Sequence, residues 1–126
     1  MMREAIRRLP DAELEVMNAV WECDPPVART DIEAVLGKEH PMAPTTILTL
    51  LTRLTEKKFL RAEKQGRANV YTPLIARHDY LATQSKRFVE KLCGGDMGAF
   101  AAALCDSGLS REEIEELREL LEKGGL

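Results

Sequence analysis

In the segment Pro44-Thr45-Thr46-Ile47-Leu48-Thr49-Leu50-Leu51-Thr52-Arg53-Leu54, the residues Ile47, Leu50, Leu51 and Leu54 fall at i, i+3, i+4 and i+7. At about 100° per residue they form one narrow stripe on a helix. Thr45, Thr46, Thr49, Thr52 and Arg53 lie on the opposite side, a face that is short and uncharged apart from Arg53. An ordinary exposed face would carry Lys, Glu and Gln, which favour helix more than threonine does. Four threonines within eight positions weaken the helix, so this face is expected to serve contact rather than helicity.

Upstream, two further helices are expected. The first covers residues 11–22 and carries Leu14, Met17 and Trp21 at i, i+3 and i+7, with Val20 beside them. Pro10 suits a first-turn position, Asp11 and Glu13 suit the positive helix end, and Pro25-Pro26 stops the helix. The second covers residues 28–36, buries Ile32, Val35 and Leu36, and is capped by Gly37. Downstream, residues 59–64 and 69–72 read as two short strands around Gln65-Gly66-Arg67-Ala68, with Pro73 closing the second. Three helices followed by a hairpin make a winged helix, a helix-turn-helix with a wing. Its short first strand is expected near Pro26-Val27.

The pattern changes after Ile75, so residues 1–75 are assigned to a winged-helix DNA-binding domain and residues 76–126 to a helical dimerisation domain. A helix over 79–93 groups Leu81, Phe88, Val89 and Leu92, and Gly94-Gly95 breaks it. A second carries Met97, Phe100, Ala101 and Leu104. The last starts at Ser110, whose hydroxyl and Glu113 form a capping box, with Leu109 and Ile114 as the staple. Leu117, Leu120 and Leu121 extend its apolar side. About 50 residues in short helices cannot enclose a core of their own. Burial against a second copy is the expected solution, through Leu81, Phe88, Leu92, Met97, Phe100, Leu104, Ile114, Leu117 and Leu121. The alternative is folding back on the first domain. The fold class is therefore mainly α with a small β-hairpin wing.

The chain has 126 residues and 5% aromatics, with a net charge of −3. That charge is unevenly spread. Between residues 40 and 73, six basic side chains face two acidic ones, a local +4 that leaves −7 for the remainder. A local basic field suits a protein that meets phosphate on one side. No apolar run approaches the roughly 18 residues of a membrane helix, and Met1-Met2-Arg3-Glu4 opens no signal peptide, so a cytoplasmic protein without membrane insertion is expected. Cys23, Cys93 and Cys105 form neither a CxxC pair nor a disulfide framework and read as thiols in a reducing compartment, with a redox or metal-sensing role as the alternative. His40 and His78 stand far apart, and no nucleophile–base pair or phosphate-cradling glycine motif stands out. No enzyme activity, metal or cofactor is expected.

Further landmarks carry a resemblance. Leu9-Pro10-Asp11-Ala12-Glu13-Leu14-Glu15-Val16-Met17, Val20-Trp21-Glu22, the segment 44–54, Tyr71-Thr72-Pro73-Leu74, Gly94-Gly95 and Leu109-Ser110-x-x-Glu113-Ile114 resemble the BlaI/MecI/CopY repressors, the penicillinase repressor family. The resemblance implies a homodimer that occupies double-stranded operator DNA and blocks transcription of antibiotic-resistance or stress-response genes. In the β-lactam branch it also implies a membrane sensor with a zinc-protease domain that cleaves the repressor. In the copper branch it implies a C-terminal cysteine cluster. This chain departs from both. Ala102-Ala103-Leu104-Cys105 stands where the family's Asn-Phe cleavage pair is found, no CxC element precedes Leu126, and Thr45 replaces a lysine common early in the recognition helix.

A recognition helix in the major groove presents its N-terminal residues to base edges, while the wing and helix ends grip phosphate. The DNA-contacting residues are expected to be Thr45, Thr46, Thr49, Thr52, Arg53 and, at the wing tip, Arg67. Threonine hydroxyls can bond a base edge or phosphate, and their methyls can touch thymine. Lys57, Lys58 and Arg61 are weaker phosphate candidates, read first as surface charges, and Trp21 and Tyr71 are assigned to the core. Two rival readings remain. A protein-interaction module would place acidic or bulky residues on the threonine face, and a small-molecule-sensing regulator would need an aromatic-lined pocket.

Overall fold

The computed structural model describes residues 6–124, so Met1–Glu4 and the chain end at Leu126 lie outside the described residues. The elements run α1 (Asp11–Glu22), β1 (Val27–Ala28), α2 (Arg29–Leu36), α3 (Pro44–Glu56), β2 (Leu60–Gln65), β3 (Ala68–Pro73), α4 (Arg77–Leu92), α5 (Met97–Asp106) and α6 (Arg111–Lys123). Two compact units emerge, Met1–Thr83 and Gln84–Leu126. They divide within α4, whereas the sequence pattern changes at residues 75–76. The reason for the later division is Tyr80, a side chain that the periodicity of α4 did not group with the core.

The first unit closes around α1, α2, α3 and a three-stranded antiparallel sheet of order β1-β3-β2. β1 pairs Val27 with Tyr71 and Ala28 with Val70, and the hairpin register runs from Leu60↔Pro73 to Gln65↔Ala68. Val16, Met17, Val20, Ile32, Leu51, Leu54, Phe59 and Leu60 are at most 1% exposed. Each such side chain contributes about 1.5–3 kcal/mol by leaving water. Tyr80 ties the edges together. Its hydroxyl accepts the Leu9 N–H at 2.9 Å, and its ring lies 5.7 Å from Trp21 and 5.8 Å, edge-on, from Phe59. The Trp21 indole N–H donates to the Ile75 carbonyl at 2.9 Å. Tyr71 is buried, as expected, while Trp21 is only half-buried.

Local signals place the helix ends. α1 starts with Pro10 as the N-cap itself, one position before the first turn, and the Leu14 N–H reaches the Pro10 carbonyl. α2 is shorter than expected by one residue, because Ala28 stays extended as part of β1 while its N–H donates to Asp31. Val35 does not join the core: it is 39% exposed, and Ile32 and Leu36 are the buried pair of this eight-residue helix. α3 begins with Pro44 in its first turn, where a missing N–H costs nothing. It ends in a Schellman turn: Lys58 N–H meets the Thr55 carbonyl, Phe59 N–H meets the Leu54 carbonyl, and Phe59 and Leu54 are both buried.

In the second unit, Gly94 and Gly95 adopt φ of +62° and +80° and stop α4. The Asp96 carboxylate accepts the Ala99 N–H at 3.0 Å and starts α5. The capping box of α6 is present, with Ser110 Oγ accepting the Glu113 N–H at 3.1 Å and Glu113 accepting the Ser110 N–H at 2.9 Å. Phe88 of α4 meets Phe100 of α5 edge-on at 5.8 Å.

Candidate nucleic-acid interface

α3 is held by its stripe. Ile47, Leu51 and Leu54 are completely buried and Leu50 is 5% exposed, so the helix cannot rotate without exposing about four large side chains. This anchoring fixes the outward direction of Thr45, Thr46, Thr49, Thr52 and Arg53, all of which are exposed. Five residues from a single helix thus share one solvent face.

The hydroxyls on that face are not equivalent. Thr49 Oγ1 donates to the Thr45 carbonyl and Thr52 Oγ1 to the Leu48 carbonyl, each at 3.0 Å. Their protons are therefore committed within the helix, and what they offer outward is a methyl group and an accepting lone pair. Thr46 makes no such bond among the described residues and keeps its proton for a partner. The expectation that threonine hydroxyls can bond a base edge or phosphate did not include this difference, and no residue periodicity signals it.

Arg53, one turn beyond Thr49, is exposed and has no ion pair among the described residues. Arg67 is likewise exposed at the tip of the β2–β3 wing, where Gly66 takes φ +67° in a two-residue turn. A positive φ at the first central residue suits a type II′ turn, whose twist matches the paired strands. Lys64 lies exposed on β2 just before the turn.

The three weaker phosphate candidates separate. Lys57 is not a free surface charge: its Nζ lies 2.5 Å from Oε1 of Glu13, whose side chain is 5% exposed. That ion pair joins the end of α3 to the first turn of α1 across 44 residues. Arg61 pairs at 2.7 Å with Glu63 on the same strand. Lys58 is exposed, with φ +68°, in the left-handed region.

Between α3 and the wing lies an open cleft of about 360 Å³, lined by Leu48, Lys64, Arg67 and Asn69 together with Arg29 and Thr30 of α2. The sequence reading passed over Leu48, Lys64 and Asn69. Leu48 could have been found, because it is apolar yet falls outside the Ile47/Leu50/Leu51/Leu54 stripe.

The nine residues assigned to dimerisation present apolar surface on α4, α5 and α6. Leu81, Phe88, Leu92, Met97, Leu117 and Leu121 are exposed, Leu92 by 72%, and Phe100, Leu104 and Ile114 are half-buried. Within the second unit an apolar cleft of about 290 Å³ runs between α5 and α6, with Leu104, Leu109, Ile114, Leu117 and Leu121 in its walls.

His40 Nδ1 sits 3.4 Å from Glu15 on the surface. Among the described residues, no group of three or more His, Cys, Asp or Glu could hold a metal ion, and no helix is long and apolar enough to cross a membrane. Burial, and then the charges of Asp31, Glu22 and Asp24, raises the Cys23 thiol above its usual range. Such a thiol is less reactive, not more.

Sequence comparison matches known proteins along almost the whole chain, and structural comparison matches a little over half of it. The sequence model of the penicillinase repressor family matches residues 9–123. The penicillinase repressor of Bacillus licheniformis is 35% identical over 94% of this chain and 92% of its own length. The methicillin resistance regulatory protein MecI of Staphylococcus aureus (strain N315) is 34% identical over 91% of this chain and 94% of its own length. Among solved structures, the DNA-binding domain of the repressor BlaI superposes with a TM-score of 0.50 at 40% identity, covering 58% of this chain and 88% of that one. The chain belongs to the penicillinase repressor family.

Proposed function

We propose that this chain is a transcriptional repressor, not an enzyme, that binds operator DNA as a homodimer through α3 and the wing. The observation that carries the reading is the exposed threonine face of α3 with its unpaired Arg53, rigidly aimed by a fully buried stripe. In a major groove, Thr46 donates or accepts at a base edge or phosphate. Thr49 and Thr52 approach closely through methyls and accept hydrogen bonds, Thr45 flanks them, and Arg53 reaches a guanine or a phosphate. Arg67 grips the backbone from the wing. The exposed apolar faces of α4, α5 and α6 pack against a second copy, which doubles the half-site. Relatives named penicillinase repressor and methicillin resistance regulatory protein make antibiotic-resistance genes the proposed targets. A membrane sensor-protease would have to act at a bond other than the family's Asn-Phe position, where this chain has Ala102-Ala103-Leu104-Cys105, and a cytoplasmic location is proposed with the DNA-binding role.

The test is selection of bound fragments from genomic DNA by the purified chain, followed by titration of the selected site. Arg53→Ala is expected to weaken binding by about 1–3 kcal/mol if the guanidinium contacts a base. With Arg53 and Arg67 each neutralising one phosphate per subunit, a dimer is expected to show a log–log salt slope of about −3.6. An unchanged dissociation constant for Arg53→Ala removes it from the interface, and binding insensitive to salt contradicts the phosphate contacts.

A further inference from the structure

Leu48 stands apart from both sets of side chains on α3. It is 42% exposed, unlike the buried stripe, yet it has no polar group, unlike the threonines. Its surface neighbours are Thr45 at i−3 and Thr52 at i+4, while Leu51 at i+3 is buried, so it stands at the edge of the face proposed above for the major groove. It also lines the cleft whose opposite wall carries Lys64, Arg67 and Asn69 of the wing. Those two cations draw a phosphate strand towards the cleft, and a leucine beside them offers nothing to a phosphate.

What a hydrocarbon side chain can recognise in the major groove is the C5 methyl of thymine. The other bases present N7, O6 or amino groups there. Facing Leu48, those groups would lose water without gaining a hydrogen bond, which is unfavourable. Thymine alone gains an apolar contact. We infer that Leu48 selects a thymine at the operator position it faces, by packing its isobutyl group on the thymine methyl. This inference rests on the reading that α3 enters the major groove.

The experiment uses the full chain and a fragment obtained by selection, with fluorescence anisotropy as the readout. Each thymine of one half-site is replaced in turn by deoxyuridine, which removes the methyl and keeps the pairing edge. One replacement is expected to weaken the wild-type protein about three- to fivefold, the size of one buried methyl group, and to leave Leu48→Ala unaffected. Leu48→Gln is expected to select adenine at the same position, through N6 and N7. Because Leu48 is outside the core, unchanged thermal melts should accompany both variants. Identical deoxyuridine profiles for wild type and Leu48→Ala overturn the inference while leaving the major-groove reading standing. A wild-type chain that binds selected and random fragments equally overturns both.

Discussion

The two units of this molecule build helices by different means. In the first, α1, α2 and α3 each press buried side chains into one core, shared with the sheet and with Tyr80. In the second, no described residue from 84 to 124 is buried. Its helices are specified locally instead: Gly94 and Gly95 end α4, Asp96 caps α5, a capping box starts α6, and Arg118 spans Glu115 and Glu122. Local signals choose where a helix begins and ends but do not make it stable. Helices below roughly 12–15 residues are marginal in water without tertiary packing, and α5 has ten residues. The first unit thus closes a core within one chain, and the second leaves its apolar side chains exposed.

The strongest way to break that comparison is to charge the exposed apolar face. Leu121→Glu on α6, 55% exposed, should leave an isolated chain nearly unchanged. In a dimer each copy loses about 1.5–3 kcal/mol of apolar burial. The combined loss of about 3–6 kcal/mol raises the dimer dissociation constant by roughly 100-fold or more. Sedimentation equilibrium measures it directly, and an unaltered association constant removes this face from any interface between copies.

Phe59→Ala tests the other side. Phe59 is 1% exposed and meets Tyr80 edge-on, so truncation is expected to cost about 3–5 kcal/mol. Urea unfolding should show that loss equally at low and high protein concentration, because the contact lies inside one chain. A loss that disappears on concentrating the protein contradicts the picture of a self-sufficient first unit.

What was legible in the sequence divides along the same line. The stripe of α3, the hairpin around Gly66, the Gly94-Gly95 break and the Ser110–Glu113 box are local patterns, and periodicity or spacing reports them. Tyr80 was not grouped with the core because its partners, Leu9, Trp21 and Phe59, are brought to it by the fold; the Leu9 bond spans 71 residues. Lys57 looked like a surface charge and Glu13 like a first-turn acid, because nothing local announces a pair 44 residues apart. Val35 satisfied the apolar pattern of α2, yet a two-turn helix offers the core only a narrow edge. At the interface, the threonine face was visible from composition, but the internal donation by Thr49 and Thr52 depends on rotamers that composition does not encode.

The pair that sequence could not reveal gives a sharper test of the first unit. Lys57→Met leaves the carboxylate of Glu13 buried without its cation, at an expected cost of about 3 kcal/mol. That lies at the lower end for a buried pair, since the Lys57 side chain keeps 23% of its surface. Glu13→Leu combined with Lys57→Met should recover most of the loss, because apolar replacement of both partners removes the unpaired charge. A double-mutant cycle on unfolding free energies reads the coupling. Additive single effects would mean that Lys57 acts by packing its stem rather than by its charge.

The smallest expected effect is a gain. Lys58 holds φ +68° at the position just past the C-cap of α3, where the Schellman turn requires the left-handed region. An L-residue there costs roughly 1–2 kcal/mol, from which glycine is free. Part of the difference returns as the larger entropy of glycine in the unfolded chain, so Lys58→Gly should stabilise the first unit by about 0.5–1 kcal/mol. Lys58→Ala serves as the control: it removes the same charge, keeps the Cβ, and should gain nothing. The increase should appear in urea unfolding at every protein concentration and leave any association between copies unchanged, because the strained residue lies outside the face proposed for dimerisation. Equal stabilisation by alanine and glycine would instead assign the effect to the lost charge and remove the backbone argument.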